Sequence, residues 1–259
     1  MGKIIAITTP KGGVGKTTTA VNLALALAQN KKRTLLIDLD PAGQCAASFG
    51  YDNENIKADI LDVLRFRNSF KTVILKTDDE NLDFVPMKNL EYLEEVQLTK
   101  LVSQDLIIKD TLGPELFSYN YIIIDCPPSL AGVTTNVLIA ADSIIIPIKA
   151  SRYSLNEVDR MIKHIEVIKT KFNEKLKIEG MLLTMYEMNT KVSFKTKKIL
   201  VEKFPGLLFN TVIPKNVEVQ ESTFYNKPIL TYNPNAKSSI AYKNLVDEIL
   251  SRNSTPEIF

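Results

Sequence analysis

A glycine-rich run that ends in lysine and threonine constrains the fold of this chain more than any other feature. The run reads Lys11-Gly12-Gly13-Val14-Gly15-Lys16-Thr17-Thr18. It follows the apolar segment Ile4–Ile7 and precedes a helical pattern over Ala20–Ala28. Apart from Pro10 in place of the first glycine, it matches the phosphate-loop pattern G-x-x-x-x-G-K-[ST]. Such a strand-to-helix turn directs backbone N–H groups and a helix N-terminus at phosphate oxygens, so the run predicts a phosphate-binding site.

Side chains of this run suit a nucleoside triphosphate with Mg²⁺. Lys16 would reach the β- and γ-phosphates, and the Thr17 hydroxyl would ligate Mg²⁺. The alternative is an ordinary glycine turn, which requires three glycines and the Gly-Lys-Thr ending to coincide by chance. Lys11 is an additional cation at the start of the loop. It cannot easily curl back to phosphates that the loop encloses, but it could reach a nucleotide held by a second subunit.

With Lys11 at this place, the run resembles the deviant Walker A box of the ParA/MinD superfamily of ATPases. In that family the equivalent lysine crosses a dimer interface to a phosphate on the partner's ATP. The resemblance therefore implies a P-loop nucleotide-binding fold and an ATP-dependent homodimer. It also implies that residues 11–18 bind the nucleotide and that Lys11 and Lys16 act in catalysis.

Two aspartates end the second apolar segment, in Leu36-Ile37-Asp38-Leu39-Asp40-Pro41-Ala42-Gly43. Their spacing puts Asp38 and Asp40 on the same side of the strand end, near the γ-phosphate in a doubly wound sheet. The segment resembles the family's DxDPQG switch I. This implies that Asp40 positions the attacking water and that Asp38, together with Asp40, belongs to the Mg²⁺ shell. Ala42 stands where the family has glutamine, a departure that bears on the hydrolysis rate or on a dimer contact.

Asp125 follows four apolar residues in Tyr121-Ile122-Ile123-Ile124-Asp125-Cys126-Pro127-Pro128, which is the Walker B arrangement. A carboxylate at this place can hold a water on Mg²⁺ or help to orient the nucleophile. The segment matches the family's hhhhDxPP, so Asp125 is a candidate metal-binding and catalytic residue of switch II. Cys126 alone suggests the iron–sulfur chemistry of nitrogenase-type relatives. Because no companion cysteine stands at a suitable spacing, an inert buried thiol is favoured.

The chain has no Asn-Lys-x-Asp motif for guanine, so ATP is favoured over GTP. In the C-terminal third, Leu182–Tyr186 and Val212–Asn216 resemble the family's LLTM strand end and its IPRN loop, which frame the adenine. The resemblance implies that Met185, Pro214 and Asn216 contact the base. Both segments are also credible as plain strand ends.

The family pattern fails at two positions linked to DNA binding. Chromosome-segregating members commonly have arginines just after LLTM and IPRN, whereas this chain has Asn189 and Glu218. Nearby, Lys191, Lys195 and Lys198 stand at i, i+4 and i+7 and would share one helix face. Such a patch could bind DNA without sequence preference by neutralising phosphates, and a solvated helix face is the alternative.

Charge is unevenly distributed, although the net charge is only +2. Residues 78–118 contain ten acidic residues against three lysines, a net charge of −7. Residues 149–203 contain thirteen Lys or Arg against seven acidic residues, a net charge of +6. The basic stretch is a candidate anion-binding face, with solvated helix faces again the alternative.

Short apolar segments alternate with longer helical patterns along most of the chain. Segments that are apolar on both faces, such as Ile122–Ile124 and Ile144–Ile146, belong in a buried parallel sheet. We therefore predict an α/β fold, with a doubly wound, mostly parallel sheet flanked by helices. Without repeats or a linker, residues 1–251 form a single predicted domain and residues 252–259 a frayed tail. The predicted strands are Lys3–Thr8, Thr34–Asp38, Asp83–Pro86, Tyr121–Asp125, Ser143–Ile148, Ile178–Thr184 and Leu207–Val212, and the predicted helices are Thr17–Asn30, Asn89–Leu101, Ser154–Phe172, Ser193–Phe204 and Ser238–Ser251.

The resemblance implies a Mg²⁺-dependent ATPase of the ParA/Soj type that acts in chromosome or plasmid partitioning. ATP would drive dimerisation and non-specific DNA binding, and hydrolysis stimulated by a ParB-like protein would reset the switch. We expect a cytoplasmic, nucleoid-associated protein without a membrane partner. Its two cysteines stand alone, no signal peptide is evident, and no apolar run approaches the ~20 residues of a membrane span.

Three alternatives remain. A MinD-like membrane-positioning ATPase would end in a basic amphipathic helix. In residues 251–259, Arg252 is the one basic residue, and Pro256 disfavours a helix. A metabolic kinase or synthetase would share the phosphate loop without needing Lys11. A ParA-like protein that positions a non-DNA cargo would keep the whole pattern.

Overall fold

The computed structural model describes residues 2–104, 106–151 and 154–254. The strands are β1 (Lys3–Ile7), β2 (Thr34–Asp38), β3 (Leu75–Lys76), β4 (Leu82–Val85), β5 (Tyr121–Asp125), β6 (Ser143–Lys149) and β7 (Lys177–Thr184). The helices are α1 (Lys16–Gln29), α2 (Gln44–Ala47), α3 (Ile60–Leu64), α4 (Phe70–Val73), α5 (Tyr92–Leu101), α6 (Ile107–Thr111), α7 (Val133–Ala140), α8 (Ser154–Lys171), α9 (Lys191–Lys203), α10 (Val217–Phe224), α11 (Ile229–Tyr232) and α12 (Lys237–Ser254).

Within the described residues, the strands form one seven-stranded sheet in the order β3-β4-β2-β5-β1-β6-β7. Every pairing is parallel except that of β3 with β4. Parallel strands need crossover connections, and here most of those connections contain helices, which cover both faces of the sheet. The predicted doubly wound, mostly parallel α/β fold is confirmed.

The central strands are apolar on both faces because each face is buried against helices. In β1, Ile4 and Ala6 belong to one hydrophobic cluster, whereas the alternating residues Ile5 and Ile7 belong to a second. The first cluster includes side chains of α7 and α8, and the second includes side chains of α1 and α12. Burial of each large aliphatic side chain contributes about 1.5–3 kcal/mol, so these two layers hold the sheet together.

The strand order places the glycine-rich run at the switch point of the sheet. β1 lies between β5 and β6, and α1 begins after the loop that follows β1. Ligands of open α/β sheets bind at such a point, outside the carboxyl ends of the strands. Asp125 pairs in register with Ile7 on one side and with Asp38 on the other. The phosphate loop and both strand-end aspartates therefore meet at one edge.

The predicted strand over Leu207–Val212 is wrong. Only an isolated bridge, between Met181 and Leu208, joins this segment to β7. The backbone N–H groups of Asn210 and Thr211 instead donate to the Glu248 carboxylate of α12, at 2.9 and 3.0 Å. Because these two amides are satisfied by a side chain, the pairing with β7 is interrupted, and it resumes only where the Ile213 N–H donates to the Leu183 carbonyl oxygen at 2.8 Å.

The C-terminal boundary also differs from the prediction. α12 continues to Ser254, so the first three residues of the predicted frayed tail are helical. Arg252 anchors this end by donating to the carbonyl oxygens of Glu179 and Leu208, each at 3.1 Å. Residues 255–259 lie outside the described residues. Among the helices that the structure describes, none is long and apolar enough to span a bilayer.

Candidate active site

The loop between β1 and α1 has the backbone of a phosphate-binding turn. Gly13 and Gly15 adopt positive φ angles of 69° and 82°, in the left-handed region that glycine reaches without a steric penalty. Gly15 is the N-cap of α1, so the N–H groups of the first turn point into the loop. Gly12 and Gly13 are exposed to solvent, whereas the Val14 side chain is buried and so anchors the turn to the protein interior.

Lys16 is enclosed by its own loop. Its side chain lies at the start of α1, the residue is 6% exposed, and Nζ donates to the Lys11 carbonyl oxygen at 3.3 Å. Burial lowers the pKa of Lys16, and the negative charges of Asp125 and Asp40 oppose that shift. The ammonium group is thus held over the loop and towards the strand-end carboxylates, where a triphosphate would place its β- and γ-phosphates.

Asp38 and Asp125 form a fully buried pair of carboxyl groups at the ends of adjacent strands. Burial raises the pKa of Asp125 to about 7, against a smaller opposing effect of the Thr17 hydroxyl. Burial, followed by the charge of Asp125, also raises the pKa of Asp38. Asp125 Oδ1 makes no regular hydrogen bond among the described residues. Two desolvated acids with an unused oxygen are a costly arrangement unless a cation accompanies them.

The switch I segment holds Asp38 more tightly than Asp40. Asp38 accepts hydrogen bonds from the backbone N–H groups of Asp40 at 3.0 Å and Cys45 at 3.1 Å. Asp40 is only half-buried and accepts from the Ala42 N–H at 3.1 Å. Ala42 itself is exposed. A longer residue there would extend from the surface of the turn, so the missing glutamine leaves the buried Asp38–Asp125 pair intact.

The predicted magnesium ligands converge on this edge. Thr17 lies in the first turn of α1, half-buried, and interacts with Asp125, whose charge also affects Asp38 and Lys16. Carboxylate and hydroxyl oxygens are the donors that Mg²⁺ prefers. The unused Asp125 oxygen and the raised carboxyl pKa values fit a hard divalent cation at this place.

Cys45 is a buried contact of this cluster that was not predicted from the sequence. Its thiol donates to Asp125 Oδ2 at 3.5 Å. Gly43, at a φ of 59°, is the N-cap of the short helix α2, which contains Cys45. The turn at Gly43 thus leads the chain back to the ends of the strands. A Cβ at Gly43 would lie 2.7 Å from the Met87 carbonyl oxygen, so only glycine fits this turn. The sequence alone offers no signal for the contact, because Cys45 and Asp125 are 80 residues apart.

Lys11 does not point into its own phosphate loop. Its Nζ forms an ion pair with Glu157 Oε1 of α8 at 3.2 Å. The Lys11 side chain is 33% exposed, so the cation lies at the rim of the site. No pattern in the sequence points to Glu157, because only the fold brings α8 beside the loop.

The predicted base contacts line one pocket with the N-terminus of α1. This pocket has a volume of about 90 Å³, and Met185, Pro214 and Asn216 line it together with Gly15 and Thr18. The pocket is largely apolar on its Met185 and Pro214 sides, which suits the face of a flat heterocycle. The structure brings these residues together, and their contact with adenine stays a prediction.

A buried hydrogen bond couples this pocket to the phosphate loop. The Thr184 hydroxyl, at the end of β7, donates to the Val14 carbonyl oxygen at 2.8 Å. Thr184 also lines the pocket, so this hydrogen bond links the loop to the strand that borders the pocket. Thr184 belongs to the LLTM segment, although no pattern in the sequence singles it out.

Glu218 has a structural role that an arginine could not fill. Asn216 caps α10 by accepting from the Glu218 N–H at 3.1 Å, and its Nδ2 donates to Glu218 Oε2 at 3.0 Å. Asn233 Nδ2 also donates to the Glu218 carboxylate. A carboxylate in the first turn of a helix is favoured by the helix dipole. The departure at position 218 therefore stabilises the pocket wall and places negative charge on this surface.

The predicted lysine patch lies on one helix away from the phosphate loop. Lys191, Lys195 and Lys198 are exposed residues of α9, as the i, i+4, i+7 spacing predicts. Lys198 pairs with Glu202 at 3.8 Å, while among the described residues Lys191 and Lys195 form no ion pair. The structure thus confirms the common helix, and DNA binding by these residues stays a prediction.

Comparisons with known proteins agree with this architecture. A family model described as an AAA domain matches residues 2–178. The sporulation initiation inhibitor protein Soj of Bacillus subtilis (strain 168) is 37% identical over 249 residues, which cover 96% of this chain and 98% of Soj. The chromosome partitioning protein ParA of Myxococcus xanthus (strain DK1622) is 35% identical over 98% of this chain and 90% of its own length.

A solved structure shares the fold over almost its whole length. It is the cobyrinic acid a,c-diamide synthase of Mycobacterium smegmatis with bound ADP and magnesium, which has a TM-score of 0.83 and 25% identity. The match covers 98% of this chain and 96% of that protein. The fold by itself is therefore shared with a protein named as a synthase, whereas the sequence identities to Soj and ParA are higher and extend over nearly the full length. The chain belongs to the ParA/Soj family of partition ATPases.

Proposed function

We propose that this protein is a Mg²⁺-dependent ATPase that converts ATP to ADP and phosphate and that acts in partitioning. One observation supports the activity most strongly. The phosphate loop with Lys16 meets the buried Asp38–Asp125 pair at the switch point of the sheet. The M. smegmatis protein of the same fold holds ADP and magnesium.

Each residue of this edge has a proposed part in phosphoryl transfer. The N–H groups of the glycine loop would hold the phosphates, and Lys16 would balance the charge on the β- and γ-phosphates. Asp40 would orient a water, whose oxygen bonds to the γ-phosphorus while the bond to the β–γ bridging oxygen breaks. Asp125 is the next candidate for that role. Met185, Pro214 and Asn216 would contact the adenine.

Four residues would hold the metal ion, namely Thr17, Asp38, Asp40 and Asp125. When bound, the ion would supply positive charge that stabilises the negative charge developing on the phosphate oxygens. Before the ion binds, the protein has to present the carboxyl groups in their ionised form. The pKa of Asp125 near 7 means that this carboxyl group loses its proton around neutral pH, when a cation can take the place of the proton.

We further propose that the ATP-bound form is a homodimer in which Lys11 reaches the nucleotide of the partner subunit. Its place at the rim of the loop, a third exposed and paired only with Glu157 among the described residues, supports this role. A ParB-like protein would stimulate hydrolysis and so return the dimer to monomers.

DNA is the proposed surface on which the dimer acts, which would make this a cytoplasmic protein associated with the nucleoid. The exposed lysines of α9 support this proposal, because they lie outside the nucleotide site and would neutralise phosphates without reading bases. The name of the Myxococcus relative, a chromosome partitioning protein, points to the same role.

Two measurements on the purified protein test the proposal. Phosphate release from ATP with Mg²⁺ should be measurable and should disappear in Lys16→Ala, which lacks the cation nearest the β- and γ-phosphates. Light scattering should show a dimer with ATP and Mg²⁺ and a monomer with ADP. A protein that neither binds ATP nor changes its mass would contradict the proposed function.

A further inference from the structure

Cys45 turns the acidic pair at the strand ends into a mixed cluster of oxygen and sulfur donors. The possible ligand atoms of Asp38, Cys45 and Asp125 all lie within 4.8 Å of one another, and all three residues are fully buried. Cys45 Sγ is 3.5 Å from Asp125 Oδ2. Asp125 Oδ1, on the same carboxyl group, is the unused buried oxygen described above.

This sulfur–oxygen separation is compatible with tetrahedral metal coordination, and the remaining pairs of possible ligand atoms lie within 4.8 Å. Tetrahedral Zn²⁺ binds thiolate sulfur at about 2.3 Å and carboxylate oxygen at about 2.0–2.2 Å, which places the two donor atoms roughly 3.6 Å apart. The sulfur and oxygen atoms here are at 3.5 Å without any rearrangement. Octahedral Mg²⁺ prefers an all-oxygen shell and makes no use of the sulfur.

We propose that Asp38, Cys45 and Asp125 form a binding site for a thiophilic divalent cation of the Zn²⁺ class. The site contributes two carboxylates and one thiolate and leaves a fourth position open. When the cation binds, the thiol proton and any proton on the two carboxyl groups pass to the buffer, and the sulfur–metal bond replaces the weak S–H···O contact.

The backbone holds the ligands in place before any ion arrives. Asp38 is fixed by N–H groups of the switch I turn, one of which belongs to Cys45 itself. Asp125 ends a strand that pairs in register with the strand of Asp38. Ligands held by rigid elements need little reorganisation, which favours tight binding.

The proposed site needs no nucleotide, so it does not rest on the proposed ATPase activity. It shares Asp38 and Asp125 with the proposed Mg²⁺ site. The two ions therefore exclude each other, and a thiophilic ion would keep the protein in a form that cannot load Mg²⁺–ATP.

Cadmium titration of the reduced, nucleotide-free protein tests the site directly. Cd²⁺ bound to a thiolate gives an ultraviolet charge-transfer absorbance that oxygen ligands do not give. We expect one equivalent of Cd²⁺ to produce this band in the presence of excess Mg²⁺. Cys45→Ser should lose the band and bind Cd²⁺ at least about 100-fold more weakly. Loss of a residue that only hydrogen-bonds to a metal ligand already lowers metal affinity ~10–100-fold.

Cys126→Ser is the matched control, because Cys126 is the second buried cysteine and lies next to Asp125. Its thiol contacts the Ile124 carbonyl oxygen at 3.9 Å and is absent from the cluster, so this variant should keep the band. Circular dichroism identifies any variant that fails to fold, and Asp38→Asn then provides a second test by weakening Cd²⁺ binding with Cys45 present. A wild-type protein without the band, or a band that survives in Cys45→Ser, would overturn the proposal.

Discussion

Lys11 Nζ and Glu157 Oε1 lie 3.2 Å apart within one subunit, so that an ion pair joins the first residue of the phosphate loop to α8. The two side chains are 33% and 26% exposed, which leaves the pair partly solvated. In the proposed dimer Lys11 reaches the partner's nucleotide, and it must first leave Glu157. The pair would then oppose dimerisation by a small free energy.

Glu157→Gln should therefore lower the ATP concentration at which half of the protein is dimeric. Solvent-exposed ion pairs contribute about 0.2–1 kcal/mol, which corresponds to a shift of up to roughly fivefold. Light scattering at increasing ATP concentrations measures this half-dimerisation point in the wild type and in the variant. Glu166→Gln changes an exposed residue of the same helix and is the control for the loss of one negative charge.

Lys11→Ala should bind ATP and stay monomeric. A Lys11→Ala variant that dimerises as well as the wild type would refute the role of Lys11 across the interface.

Asp40→Ala should bind ATP and dimerise but hydrolyse slowly, which traps the ATP-bound form. Asp40 is half-buried beside the fixed Asp38, so its removal leaves the buried pair in place. Loss of a group that orients the reacting water costs ~10²–10⁴-fold in rate. Single-turnover phosphate release measures the effect. Turnover within a factor of two of the wild type would move this role to Asp125.

The stability of the nucleotide-free protein should fall as the pH rises from about 4 to about 7. The pKa of Asp125 is raised from 3.8 to about 7 by burial, so over this window the folded state binds a proton that the unfolded state has released. The shift corresponds to roughly 4 kcal/mol at most. Urea unfolding at several pH values, without Mg²⁺, measures the free energy of unfolding against pH. The slope of this plot should be shallower in Asp125→Asn than in the wild type. Equal slopes in the two proteins would show that Asp125 ionises normally.

Thr184→Val should weaken nucleotide binding and lower stability. The change leaves the buried Val14 carbonyl oxygen without the 2.8 Å hydrogen bond from Thr184, which costs about 1–3 kcal/mol. Thr170→Val is a matched control, because its hydroxyl makes a 2.8 Å bond to a backbone carbonyl on the exposed surface of α8. Calorimetric titration with ATP and urea unfolding compare the two variants. If both lose the same stability, the Thr184 bond has no special role.

The ATP-bound dimer should bind duplex DNA of any sequence through α9, with a log–log salt slope of about −0.9 per phosphate contacted. Combined Lys195→Glu and Lys198→Glu should abolish this binding and leave dimerisation intact, because α9 lies outside the nucleotide pocket. Lys57→Glu with Lys71→Glu, two exposed lysines outside the basic stretch 149–203, makes the same charge change elsewhere and should leave DNA binding intact. If the Asp40→Ala dimer shows no shift of DNA mobility at low salt, a protein or membrane surface becomes the better description of its target.

The sequence was sufficient for features that depend on local pattern. Apolar runs such as Ile122–Ile124 predict buried strands, and the spacing of Gly13, Gly15 and Lys16 predicts a strand-to-helix turn. Local pattern was misleading where a distant side chain intervened. The segment Leu207–Val212 has strand-like residues, but the Glu248 carboxylate accepts hydrogen bonds from the N–H groups of Asn210 and Thr211 and so interrupts the pairing. The short helices α2, α3 and α4 also went unpredicted, since helices of four or five residues contain too little periodicity to detect.

The sequence by itself determined the α/β fold, the phosphate loop and the carboxylates at the strand ends, because each follows from residues that are close together along the chain. Only the tertiary structure decided which side chains face these groups. Glu157 meets Lys11, Cys45 meets Asp125 and Thr184 meets Val14. These contacts join residues 80 to 170 positions apart, and strand order and helix packing bring them within a few ångströms. No periodicity or spacing in the chain encodes such a distance, since it results from the packing of the whole domain.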